Sequence, residues 1–317
     1  MPLAVKTDYI MGQTGVTTFV DAGSAGAGNF CGFKEFVIDK AKARIYAFLN
    51  ICYSGLVTSS NWIPEYNRQP IHFLSVPAAL EVGRKYNDVI VGIKVMCSSD
   101  YNFHGLASLE LAKEAAKILK KPVMVHRSSP PPTSREILPK MEFGDILTHS
   151  FRGEPNTLLN SKGLIIPELH KAKENGVVID IGHGSGSFSV EVAKKMLAQK
   201  FFPDIISSDL HISSIKGPAY DLPTTMSKFL SLGMNLKDVI AAVTCTPAKV
   251  IGKNIQLGHL KKGTLADIAI FELKKGKFQY KDCSWVGDNV IESKNFWGDF
   301  KLEHKMTILS GEILEKL

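Results

Sequence analysis

The stretch VGIKVMCSSD, Val91–Asp100, decides how this chain is read. It opens as an apolar, β-branched run of the kind buried on both faces of a parallel sheet, and a lysine interrupts it at position 94. An ammonium there is costly unless it is paired, neutralised or chemically changed. The run is one of a series. GVTTFVD (15–21), RIYAFLN (44–50), VIVGIKV (89–95), PVMVH (122–126), DILTH (145–149), GVVIDIG (176–182) and DIISSD (204–209) all read as short strands. Stretches of helical period separate them: NFCGFKEFVIDKAK, LASLELAKEAAKILKK, LIIPELHKAKENG with a glycine stop at Gly176, and SFSVEVAKKMLAQK. This alternation predicts repeated βα units and a parallel sheet. After Asp209 the chain turns helical through LPTTMSKFLSLGM and NLKDVIAAVTCTPAKVIG. From about Gly263, ADIAIFEL, GKFQY and HKMTILSGEIL read as short strands with turns between them, a small β appendage.

The strand ends discriminate between an open sheet and a closed one. Asp21, Asn50, Lys94, His126, His149 and Asp209 stand at or near the ends of six runs, with Asp180 and His183 at the end of another. In a (β/α)8 barrel such ends converge on one face, where active sites are built. On an open doubly wound sheet they do not all converge. The expected fold is therefore α/β, a TIM-type (β/α)8 barrel over residues 1–260 with a β remainder over 261–317.

Composition narrows the class. With 44% hydrophobic residues, 22% charged and no run of eighteen apolar residues, the 317 residues read as a soluble globular chain without a membrane span. Five scattered cysteines, Cys31, Cys52, Cys97, Cys245 and Cys283, make no C-x-x-C pair. They suggest neither a disulfide framework nor a zinc knuckle, and a reducing cytoplasm fits best. The net charge of +7 is dispersed, without a basic stripe interleaved with aromatics, which argues against nucleic acid as a partner.

Two histidines, an aspartate and a buried lysine at successive strand ends suit a hydrolytic metal site. Imidazole and carboxylate hold Zn2+ or a related divalent ion, which lowers the pKa of a bound water toward neutrality. Lys94 is explained if carbon dioxide carboxylates its amine, because the carbamate is an anion that can bridge two metals. A lysine snorkelling to the rim is the plainer reading. A Schiff-base lysine of an aldolase-type barrel is a third.

At GVTTFVDAGSAGAGNF, GIKV, VMVH followed by PPP, GDILTHSFRG, IDIGHGSGSFS, PDIISSDLH, GPAYDLPTTMSKFLSLGM, TPAKVIG and GTLADIAIFEL, nearly the whole chain resembles the amidohydrolase superfamily, in its dihydroorotase-like deacetylase branch. The resemblance implies hydrolysis of an amide or ester of a small acylated substrate by activated water, on one or two divalent ions. It makes Lys94 the carboxylated bridging ligand, His126 and His149 ligands of the second metal, and Asp209 a ligand that also accepts the proton of the water. His183, within GHGSGS, becomes a substrate contact. A homo-oligomer is possible within the family.

Met96 stands where the family pattern has an arginine, and Arg127–Ser129 where a small or apolar residue is usual. The family's H-x-H at the end of the first barrel strand occurs nowhere in the chain. The expected barrel thus lacks its first strand and that motif together. The alternative to an active hydrolase is an inactive truncated relative.

Overall fold

The computed structural model describes residues 3–57, 69–286 and 290–314. Along the chain run α1 (Thr7–Thr14), β1 (Thr18–Gly26), α2 (Phe30–Phe36), β2 (Arg44–Asn50), α3 (Val76–Lys85), β3 (Ile90–Met96), α4 (Ala107–Leu119), β4 (Val123–His126), α5 (Ser134–Ile137) and β5 (Ile146–Leu147). Then follow α6 (Pro167–Glu174), β6 (Val178–Ile179), β7 (Ser187–Phe188), α7 (Val190–Ala198), α8 (Leu222–Ser231), α9 (Leu236–Val243), α10 (Cys245–Val250), β8 (Ile268–Val286), β9 (Val290–Leu309) and β10 (Glu312–Leu314). The chain forms two compact units. The first comprises Met1–Ala4, Thr18–Thr148 and Lys171–Val177, and the second Val5–Thr17, His149–His170 and Val178–Leu317.

In the first unit β1 to β5 pair in parallel, each with the next. Every residue of β3 is buried, Lys94 included, as expected of a strand covered on both faces. Gly92 makes room within it, since a Cβ there would lie 2.2 Å from the Phe48 ring. On α4 the buried residues Ser108, Leu109, Ala112, Ala115 and Ala116 recur at helical spacing and form the core-facing stripe. The helix ends at Lys120 in a left-handed conformation, with the Lys121 N–H returning to the Ala116 carbonyl.

The second unit carries an antiparallel sheet ordered β10-β9-β8-β7. The expectation of several short C-terminal strands is corrected here: β8 and β9 are 19 and 20 residues long and pair as one hairpin. Lys274 and Lys275, the turn expected between ADIAIFEL and GKFQY, lie within β8, because a bulge between Lys275 and Phe278 absorbs the extra residues. SFSVEVAKKMLAQK opens as strand β7 before turning helical, and NLKDVIAAVTCTPAKVIG breaks at Thr244 into α9 and α10. DIISSD forms a single parallel bridge, Ile205 to Asp180, rather than a full strand. Helix α1 returns to the hairpin, where the Thr307 hydroxyl donates to the Met11 carbonyl at 3.3 Å. Among the described residues no helix is long and apolar enough to cross a membrane.

Candidate active site

In the first unit the ladder sets the aim of the side chains. Asn50 pairs with Lys94 and Met96 with His126. Laterally paired residues of parallel strands share a face, as do residues two apart, so Asn50, Lys94, Met96 and His126 lie on the same face of the sheet. Lys94 is only 3% exposed. Its stem lies against Gly23, where a Cβ would fall 2.6 Å from Lys94 Cγ and where φ is +91°, so glycine is required on both counts. The Asn50 amide donates to the Gly23 carbonyl at 3.0 Å and fixes that approach. Asp21 accepts the N–H groups of Gly23 and Ser24 at 3.1 and 2.8 Å. Burial pushes its carboxyl above the usual range, while the Ser24 and Gly23 hydrogen bonds and the charge of Lys94 pull it back.

The tautomer of His126 follows from its neighbours. Ser128 Oγ donates to the Asp100 carboxylate at 2.7 Å and lies 3.1 Å from His126 Nε2. A hydroxyl has one hydrogen. With that hydrogen on Asp100, Ser128 accepts from the Nε2–H, and the neutral ring carries its lone pair on Nδ1. Tyr101 packs edge-on to the same ring at 5.1 Å.

In the second unit His149 and Asp209 lie outside any strand, both left-handed, with φ of 60° and 43°. His and Asp are among the side chains that tolerate this conformation, at a cost on the order of 1–3 kcal/mol each. His149 is buried, and its Nδ1 lies 2.7 Å from the Gly182 carbonyl. A carbonyl can only accept, so Nδ1 bears the hydrogen, and in the neutral ring Nε2 carries the lone pair. Asp209 lies against Gly184, where a Cβ would meet its Oδ2 at 2.6 Å.

His183, expected to contact substrate, is buried with both ring nitrogens engaged inside the protein. Nδ1 faces the Gly184 carbonyl at 3.0 Å, and Nε2 lies 2.7 Å from Lys228 Nζ. Burial first, then the Lys228 charge, hold this imidazole well below its ordinary pKa. Among the described residues no three His, Cys, Asp or Glu side chains gather closely enough to hold a metal.

A model of the amidohydrolase family matches residues 11–314. The chain belongs to the amidohydrolase family. This amidohydrolase is 38% identical over 283 residues to a deacetylase of Brucella anthropi, covering 89% of this chain and 69% of that protein. A deacetylase of Agrobacterium fabrum is 37% identical with the same coverage. The crystal structure of a dihydroorotase superposes with a TM-score of 0.86 at 34% identity, over 99% of this chain and 81% of that one. An adenine deaminase structure gives 0.84 at 31%, over 94% and 78%. These likenesses bear out the TIM-type α/β class and make the amidohydrolase a hydrolytic enzyme.

Sequence reading missed several residues around the amidohydrolase's candidate ligands. Asp100 and Ser128 read as loop residues, since their pairing spans 28 positions. Lys228 lies in LPTTMSKFLSLGM, a stretch read only as helical. A signal was available, because MSKFL leaves no solvated face at that point: Thr225 to Leu230 are all buried. Gln69 and Ser98 bury side-chain polar atoms that find no hydrogen-bond partner among the described residues. Both adjoin Tyr101, Gln69 through its N–H to the Tyr101 carbonyl and Ser98 through its carbonyl to the Tyr101 N–H.

Proposed function

We propose that this amidohydrolase is a metal-dependent hydrolase of deacetylase type, cleaving the amide or ester bond of a small acylated substrate with an activated water. The observation that carries the metal reading is the state of the two imidazoles. Each has one nitrogen committed as an N–H donor, to Ser128 or Gly182, and the other carrying its lone pair, as metal-binding histidines require. His126 would ligate through Nδ1 and His149 through Nε2. Lys94 would be a ligand as a carbamate. Its neutral amine forms an N–C bond to carbon dioxide and releases a proton, giving an anion on a stem that Gly23 and Asn50 hold in place. Asp209 would be the remaining ligand. A bound divalent ion, Zn2+ in the first instance, supplies Lewis acidity and lowers the pKa of a water.

The chain's own residues do the rest of the work. Asp209 takes the proton of the water and returns it to the leaving group, as a carboxylate facing the reaction can. The deacetylase names of the relatives favour acetylated amino acids and acetylated hydroxy acids as the first panel. The expected result is acetate release that is lost on chelation and restored by Zn2+, with bicarbonate and a short carboxylic acid partly rescuing Lys94→Ala. Acetate release indifferent to chelation would overturn the metal reading. A borohydride-reducible adduct at Lys94 would support Schiff-base chemistry instead.

A further inference from the structure

Lys228 is, with Lys94, a buried lysine among the described residues, 0% exposed, and the mechanism above does not use it. Its three ammonium hydrogens meet three acceptors: His183 Nε2 at 2.7 Å, the Pro218 carbonyl at 2.8 Å and the Lys281 carbonyl at 2.8 Å. The Phe188 ring lies under the charge at 5.8 Å and stacks on His183 at 4.7 Å. Desolvating an ammonium is expensive even with such contacts, so a position that retains one calls for an explanation.

His183 supplies it. Lys228 donates to Nε2, which leaves Nδ1 as the donor to the Gly184 carbonyl and fixes the ring in one tautomer. The residue sits between two left-handed glycines, Gly182 at φ 49° and Gly184 at φ 54°. Each touches one candidate ligand: the Gly182 carbonyl receives the His149 Nδ1–H, and Gly184 lies against the Asp209 carboxylate. The turn is tied to the 204–209 segment by the His183 N–H to the Ser207 carbonyl at 3.1 Å and the Gly184 N–H to the Ser208 carbonyl at 3.0 Å. The Gly182 N–H donates to Ser207 Oγ at 3.0 Å.

We infer that Lys228 is a positioning residue, whose hydrogen bond to His183 holds the Gly182–Gly184 turn and through it sets the tautomer and aim of His149 and the placement of Asp209. The inference deepens the metal-hydrolase reading and rests on it for its functional consequence, though not for its geometry.

The test compares Lys228→Met with Ser227→Ala in otherwise intact chain. Ser227 is buried on the same helix, donating to the Pro223 carbonyl and accepting from the Leu302 N–H at 2.9 Å, so its loss weakens the same packing without touching the turn. Nitrogen-15 histidine NMR reads the tautomer of His149, and Co2+ titration followed by visible absorption reads metal affinity. In Lys228→Met the His149 Nδ1–H tautomer is expected to lose its dominance and Co2+ affinity to fall by roughly 10- to 100-fold. Ser227→Ala should lower the melting temperature while leaving both readouts at wild-type values. Unchanged tautomer and affinity in Lys228→Met, or equal changes in both variants, would overturn the inference. Should Lys228→Met not fold, His183→Gln serves. It keeps an acceptor for Lys228 but alters the link to Gly184, and a wild-type His149 tautomer there would count against the inference. If the wild-type chain takes up no Co2+, the metal-hydrolase reading fails, while the tautomer comparison still decides the coupling from Lys228 to His149.

Discussion

Lys94 and His126 stand on a parallel ladder whose register fixes the face each side chain takes, whereas His149 and Asp209 stand on left-handed residues held by a glycine-flanked turn. In the first unit the aim of a candidate ligand is spread over many backbone hydrogen bonds. In the second it depends on a few individual contacts around Gly182–Gly184. The difference teaches where single substitutions should act. Changes near the ladder should act through stability, and changes near the turn through chemistry with the fold retained.

A matched pair of glycines breaks or confirms that contrast most directly. Gly23→Ala places a methyl against the root of the Lys94 side chain at positive φ, where neither the strand nor the stem can give way. We expect a loss of about 3 kcal/mol in urea unfolding; a change within about 0.5 kcal/mol would sink the account of Lys94. Gly184→Ala meets only the far end of Asp209. It should cost less stability than Gly23→Ala yet depress turnover more, and the reverse order would collapse the distinction between the units.

Asp209→Asn sharpens the second half of the comparison. Turnover should fall by roughly 10²-fold with little change in melting temperature, and near-normal turnover at saturating substrate would remove Asp209 from the mechanism. Ser128→Ala removes the acceptor that fixes His126 through Nε2. A roughly tenfold weaker Zn2+ affinity is expected, read by competition with a chromophoric chelator; an unchanged affinity would mean that the ladder alone aims His126.

Smaller effects are expected away from the site. Cys97, buried at the end of β3, has its thiol pushed up to about 12 by burial, while Cys31 and Cys245 are exposed. Under native conditions at pH 8 a thiol reagent should label Cys31 and Cys245 and spare Cys97; rapid labelling of Cys97 would show that the first unit opens easily. On the hairpin, hydrogen bonds from Lys274 and Lys305 hold the Glu303 carboxyl at about 2. Its folded pKa lies below the unfolded value of about 4.3, so its contribution is full above that pH and is lost as pH falls from there through about 2. The contribution is small because the groups are exposed and screened. The urea midpoints of wild type and Glu303→Gln should therefore differ slightly at pH 6 and converge toward pH 2.

How much of this was legible in sequence depended on where the information sits. The runs that became β2, β3 and β4 carried their own hydrophobic signal, and with it Lys94 and His126. Helix α3 has no counterpart among the predicted helices, and its sequence carries Pro77 and Gly83, residue types that ordinarily interrupt a helix. Pro77 sits in the first turn beside a Ser75 cap, and Gly83 admits Leu119, whose side chain a Cβ would meet at 2.5 Å. The hairpin was hidden by KKGK, because a bulge and a turn have the same local composition. The links from Ser128 to Asp100, His149 to Gly182 and Lys228 to His183 join residues 28, 33 and 45 positions apart. No local pattern encodes a pairing at that distance.

The hydrogen bond from Thr307 to Met11 spans 296 positions and lies within one unit. During synthesis the first unit has all its residues once the ribosome has passed Val177, yet α1, made before nearly all of it, must wait for β9. At ordinary elongation rates that interval is on the order of tens of seconds. For that time the helix beginning at Thr7 is a nascent segment without its docking surface, and a chaperone that shields the early chain would have its longest opportunity there.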